Sequence, residues 1–148
     1  MPIIYNLIEE LLKVKPLFGG LTTLVRIHNM NQEDESFSRL SKHFLKEPDI
    51  IDAHDIQIKL TRVLSKEFFS NITIQNYRVQ KSEGMQQDIA PAPRREVLET
   101  GIQISGDYND RYAYNEKGDY HSTKDKSIEI IDGGLQIISE TIKQIAEG

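Results

Sequence analysis

The chain has 148 residues, a formal net charge of −5 and no cysteine. Without cysteine there is no disulfide framework, thiolate zinc site, iron–sulfur cluster or cysteine nucleophile. The acidic balance argues against a general phosphate-binding surface, because non-specific nucleic-acid affinity comes from clustered Lys and Arg that release counterions.

With 38% hydrophobic and 28% charged residues, the sequence reads as one packed domain spanning 1–148. Met1 to Val14 carries Glu9 and Glu10 inside its apolar run and has no basic leader. It therefore reads as neither signal peptide nor membrane span, and the expectation is a soluble, cytoplasmic protein. Asn71-Ile72-Thr73 matches the glycosylation pattern, but without a secretion signal the match carries no weight.

Ile4, Leu7, Ile8, Leu11 and Leu12 fall at the three-and-four spacing of an amphipathic helix, which Pro16 and Gly19-Gly20 end. Leu21 to His28 is rich in Thr, Leu, Val and Ile and reads as a short strand, followed by a polar loop from Asn29 to Glu35. Ser36 is placed to cap a helix carrying Phe37, Leu40 and Phe44 that ends near Glu47-Pro48. From Asp52, a further helix is expected through Ile56, Leu60, Val63, Leu64 and Phe68, central to the core.

Ile72 and Ile74 alternate with polar residues, and Tyr77 and Val79 alternate in the opposite phase. The pattern predicts a strand with a bulge near Asn76, where one inserted residue resets the faces. Residues 81–95, with Pro91 and Pro93, read as a long exposed loop, and the basic group Arg78, Lys81, Arg94 and Arg95 around it reads as solvated charge. Leu98, Thr100, Ile102 and Ile104 predict a second strand. Tyr112, Tyr114 and Tyr120 around Asn115-Glu116-Lys117-Gly118 predict a hairpin. Leu135, Ile138, Ile142 and Ile145 mark a terminal helix from Asp132. The order predicts an α+β fold, with N-terminal helices and a C-terminal helix packed on a small, mainly antiparallel sheet.

Two functional readings follow. In the first, Tyr108, Arg111, Tyr112, Tyr114 and Tyr120 form an aromatic contact patch, joined by the loop prolines Pro91 and Pro93. Tyrosine with a neighbouring Arg is enriched where protein surfaces meet, so a non-catalytic interaction or assembly subunit is expected, with a protein partner or self-association. The competing reading of the same tyrosines is cross-strand pairing.

In the second, His54-Asp55 and His121 with Asp125 supply nitrogen and oxygen ligands to a divalent metal for assisted hydrolysis. The Tyr120–Ile131 segment is locally similar to the metal-binding histidine region near the end of zinc aminopeptidases, but the upstream ligand motifs and glycine-rich segments of those enzymes are absent, so the family is not carried over. Helix capping explains the same residues without a metal. No phosphate loop, nucleophile elbow or His-Glu-x-x-His pair is present. No cofactor is therefore expected, and the interaction reading is the favoured one.

Overall fold

A computed structural model describes residues 2–29, 35–45, 55–81 and 97–147. The elements run α1 (Pro2–Leu12), β1 (Gly20–Asn29), α2 (Glu35–Phe44), β2 (Gln57–Leu64), β3 (Phe68–Gln80), β4 (Val97–Asn109), α3 (Arg111–Glu116) and α4 (Lys124–Glu147). The fold is α+β. Its four strands form one antiparallel sheet in the order β1-β4-β3-β2, so β4 and β3 are central and β1 and β2 are the edges.

Alternation along the central strands separates the sheet into two faces. Ile72 and Ile74 of β3 and Ile102 and Ile104 of β4 are buried with Leu40 of α2 and Ile138 and Ile145 of α4. A second cluster joins Phe68 and Tyr108 to Ile130 of α4. The opposite face carries Arg26, His28, Asn71, Gln103 and Asp107 with the exposed Leu24 and Val63, and at Phe69 it meets Tyr112 of α3.

The helix expected over 56–68 is strand β2 followed by a tight turn. Ile58, Leu60 and Leu64 share the sheet's inner face, while Lys59, Thr61 and Val63 share the outer one. Both periods fit these residues, and pairing with β3 decides in favour of the strand. In the turn the Glu67 N–H donates to the Leu64 carbonyl (3.0 Å), and Ser65 and Lys66 both have positive φ, 52° and 53°. That geometry suits the twist of antiparallel strands but normally recruits Asn-Gly, so the sequence carries no turn signal here.

The bulge expected near Asn76 lies instead between Val79 and Gln80. Register is regular through Asn76, which sits on the inner face and breaks the apolar row because it has another task. Its Oδ1 accepts the Ile56 N–H at 2.7 Å and its own N–H donates to the Ile56 carbonyl at 3.3 Å, anchoring the approach to β2. Tyr77 lies outside, over Gly101. A Cβ at Gly101 would stand 2.2 Å from the Ile27 carbonyl oxygen and 2.9 Å from the Tyr77 ring, so only glycine fits this crossing of β1 and β4.

The hairpin expected from Tyr112 to Tyr120 is the short helix α3 and a loop. The Ala113 N–H donates to the Glu67 carbonyl (3.0 Å), so α3 closes onto the β2–β3 turn instead of pairing as a strand. The terminal helix begins at Lys124, eight residues before Asp132. Thr123 caps it, its Oγ1 accepting the Lys126 N–H at 3.3 Å. The helix then continues through Gly133-Gly134 because those glycines face the sheet, where a Cβ would meet Tyr108 and Leu21 at 2.9 Å. Each mid-helix glycine costs about 1 kcal/mol against alanine, and close approach to the sheet offsets that.

No helix of the described residues is long and apolar enough to cross a membrane. His54, Pro91, Pro93, Arg94, Arg95, the Asp52 cap and most of the expected 81–95 loop lie outside the described residues.

The two left-handed turn residues carry a cost of roughly 1 kcal/mol each. Replacing them together, Ser65→Asn with Lys66→Gly, is expected to stabilise the protein by about 1 kcal/mol and raise its melting temperature by a few degrees. Calorimetry checks this, and an unchanged or lower midpoint contradicts the turn assignment.

Candidate interaction surface

α1 is apolar around about half its circumference, but the body of the protein uses only part of that arc. Ile8 is buried, whereas Ile3, Leu7 and Leu11 on the adjoining stripe, with Val14 in the following turn, are 82%, 58%, 55% and 75% exposed. Helical spacing puts these four on one side. The stripe continues along the chain into Leu17 and Phe18, also exposed.

α1 packs against α4, and a Lys124 Nζ–Glu9 ion pair of 2.5 Å joins them. An exposed pair of this kind contributes little. The connection from Pro16 to Gly20 is fixed more firmly, by the carboxylate of Asp110.

Asp110 follows β4 directly and is fully buried. Its Oδ1 accepts the Gly19 N–H at 2.6 Å. Its Oδ2 accepts the hydroxyls of Tyr120 (2.8 Å) and Ser122 (2.7 Å). Around this centre the Asp110 N–H donates to the Gly19 carbonyl (3.2 Å) and the Ser122 N–H to the Pro16 carbonyl (3.0 Å). One acidic side chain thereby ties the segment before β1, the end of β4 and the approach to α4. Burial, followed by the Asp110 carboxylate, raises the Tyr120 phenol well above its ordinary value.

The clamp positions part of the expected aromatic patch. Holding Gly19 against Asp110 brings the neighbouring Phe18 to Arg111, whose guanidinium lies 5.7 Å from the ring centroid, and to Tyr114, 5.8 Å between centroids. Arg111 and Tyr114 thus meet at Phe18, a residue the sequence reading left out.

The other tyrosines do different work. Tyr112 packs edge-on against Phe69 at 5.3 Å, and Tyr120 serves Asp110. Tyr108 is 8% exposed and stacks on Phe68 at 5.2 Å, so its ring belongs to the core. The sequence gives no warning of Asp110 because its backbone donor, Gly19, is 91 residues away.

Of the alternative metal set, His54 lies outside the described residues, and Asp55 stands apart from His121 and Asp125. Asp55 accepts a long hydrogen bond from Asn76 Nδ2 (3.5 Å). His121 and Asp125 stand at the start of α4, where Lys126 covers the Phe68 ring at 4.8 Å. From Phe68 to Asn76 along β3 is roughly 27 Å at the ordinary strand rise. Among the described residues no three His, Asp or Glu side chains are grouped to hold a metal ion.

On the open sheet face a second polar cluster joins His28, Tyr77 and Glu99. The Tyr77 hydroxyl donates to Glu99 Oε1 (2.5 Å) and lies 2.7 Å from His28 Nδ1, which is 2.8 Å from the same carboxylate oxygen. Arg26 sits 5.3 Å from the Tyr77 ring centroid. Burial, then the hydrogen bond to Glu99, pushes the Tyr77 phenol up to about 12. The same hydrogen bond is the first cause of the lowered Glu99 carboxyl.

Asp110→Asn puts a donor among donors and is expected to destabilise the fold by about 2–5 kcal/mol, and Tyr120→Phe by about 1–2 kcal/mol. Urea unfolding checks both, and losses below half a kcal/mol contradict the clamp. Glu99→Gln is expected to bring the Tyr77 phenol down from about 12 without reaching the usual 10, because burial, the larger cause, is retained. NMR titration of the Tyr77 ring reads this directly, and an unmoved value contradicts the cluster. Comparison with protein-family models, with curated proteins and with solved structures finds no match to this chain.

Proposed function

We propose that this chain is a non-catalytic interaction or assembly subunit that associates through α1, with a second copy of itself as the first occupant of that face. The observation that carries the reading is the solvent-facing stripe Ile3, Leu7, Leu11 and Val14, extended by Phe18 with Arg111 and Tyr114. Exposed apolar surface of this kind marks contact sites. An isologous two-fold contact, in which the same patch meets itself, is the commonest closed arrangement for such a surface.

Magnitudes set the character of the contact. Covering the four partly exposed aliphatic side chains is worth about 1–2 kcal/mol each, or on the order of 10 kcal/mol from two copies. Association itself costs about 4–15 kcal/mol. The stripe alone therefore supports a concentration-dependent pair, and the aromatic extension at Phe18, with the Arg typical of contact hot spots, strengthens it.

Light scattering and native mass spectrometry over a concentration series test the proposal. The expected result is a discrete oligomer that becomes monomeric in the Leu7→Glu, Leu11→Glu variant while circular dichroism stays unchanged. A wild-type chain that remains monomeric throughout, or an oligomer indifferent to these substitutions, contradicts it.

A further inference from the structure

α1 joins the rest of the protein through a fixed post and a strained pivot. The post belongs to the clamp: the Gly19 N–H donates to Asp110 (2.6 Å) and the Pro16 carbonyl accepts the Ser122 N–H (3.0 Å). The chain from Pro16 onward is therefore kept at the end of β4 and the approach to α4. The pivot is Lys15, immediately before the post, whose φ is 49°. Left-handed geometry crowds every side chain larger than that of glycine. A residue preceding proline is, in addition, pushed toward extended backbone. Lys15 stands against both preferences, and straightening satisfies both.

The contacts opposing that change are few. Among the described side chains of α1, Ile8 alone is buried and Leu12 is half-buried. The helix packs on α4 with the exposed Glu9–Lys124 ion pair between them. Straightening Lys15 gives up one exposed backbone hydrogen bond, from its N–H to the Leu12 carbonyl (3.1 Å), and water replaces the lost partner. The same rotation swings α1 off the α4 of its own chain.

We propose that two copies associate by exchanging α1: Lys15 extends, and each α1 packs on the α4 of the other chain. The inference rests on the self-association proposed above and specifies its mode. Contacts between α1 and α4, Glu9 with Lys124 included, are remade between chains, so exchange keeps what a single chain holds and relieves the strained pivot in both copies. Exchange of an identical element is a low-cost route to a dimer, and a short connection under strain invites it.

The chain has no cysteine, so the double variant Glu9→Cys with Lys124→Cys reports connectivity without background. It is joined with a short bismaleimide over a concentration series followed by light scattering, then run on a denaturing gel. The expected product is a covalent dimer. A native dimer whose crosslinked chains run as monomers overturns the exchange and leaves association through α1 standing, whereas a chain monomeric at every concentration overturns both. Lys15→Gly accepts the left-handed pivot without strain, so it is expected to weaken the dimer about tenfold. Lys15→Val, β-branched and disfavoured at positive φ, is expected to tighten it. A dissociation constant unmoved by both substitutions overturns the exchange, because a side-by-side pair leaves the pivot as it is.

Discussion

The arrangement of this protein depends on one buried carboxylate. Among the described residues no ion pair reaches Asp110; its carboxylate accepts from a backbone N–H before β1 and from two hydroxyls on the approach to α4. Removing one partner of such a centre leaves a buried polar atom unsatisfied, which costs more than the hydrogen bond itself contributes. The consequence is positional. The segment carrying Phe18 cannot leave the end of β4 without exposing the carboxylate, so Phe18, Arg111 and Tyr114 are held together.

The two faces of the sheet show how burial divides the sequence between structure and surface. The inner face, under α2 and α4, is a row of isoleucines interrupted by Asn76, which anchors β2. The outer face satisfies itself with lateral polar contacts, Thr61 to Asn71 to Asp107 at one place and His28, Tyr77 and Glu99 at another. α1 is the contrast: its exposed leucines and isoleucine gain nothing from water, and that is the physical basis for assigning the contact surface there.

Elements whose hydrophobic spacing admitted one reading were legible from the sequence. α1, β1, α2 and β4 fall where the spacing of Leu7 and Ile8, Leu21 to His28, Leu40 and Phe44, and Ile102 and Ile104 places them. Residues 56–68 were not, because Ile56, Leu60, Val63, Leu64 and Phe68 fit a helix while Ile58, Leu60 and Leu64 fit a strand. The turn that decides between them uses Ser65 and Lys66, which announce nothing. Of the aromatic patch, Arg111 and Tyr114 stand beside Phe18, whereas the Tyr108 ring is drawn into the core by Phe68. Phe18 and Asp110 were invisible because their partners are remote in the chain, and no local pattern encodes a contact across 91 residues.

Hydrogen exchange on the wild-type protein and on Asp110→Asn tests the central claim most directly. Opening free energies differ from segment to segment and can be read amide by amide. If Asp110 is the clamp, the amides of Gly19 and Ser122 lose most of their protection in the variant and α1 exchanges faster, while Ile72, Ile74, Ile102 and Ile104 retain theirs relative to the lowered global stability. Equal loss across the whole sheet, or unchanged protection at Gly19 and Ser122, would contradict the account.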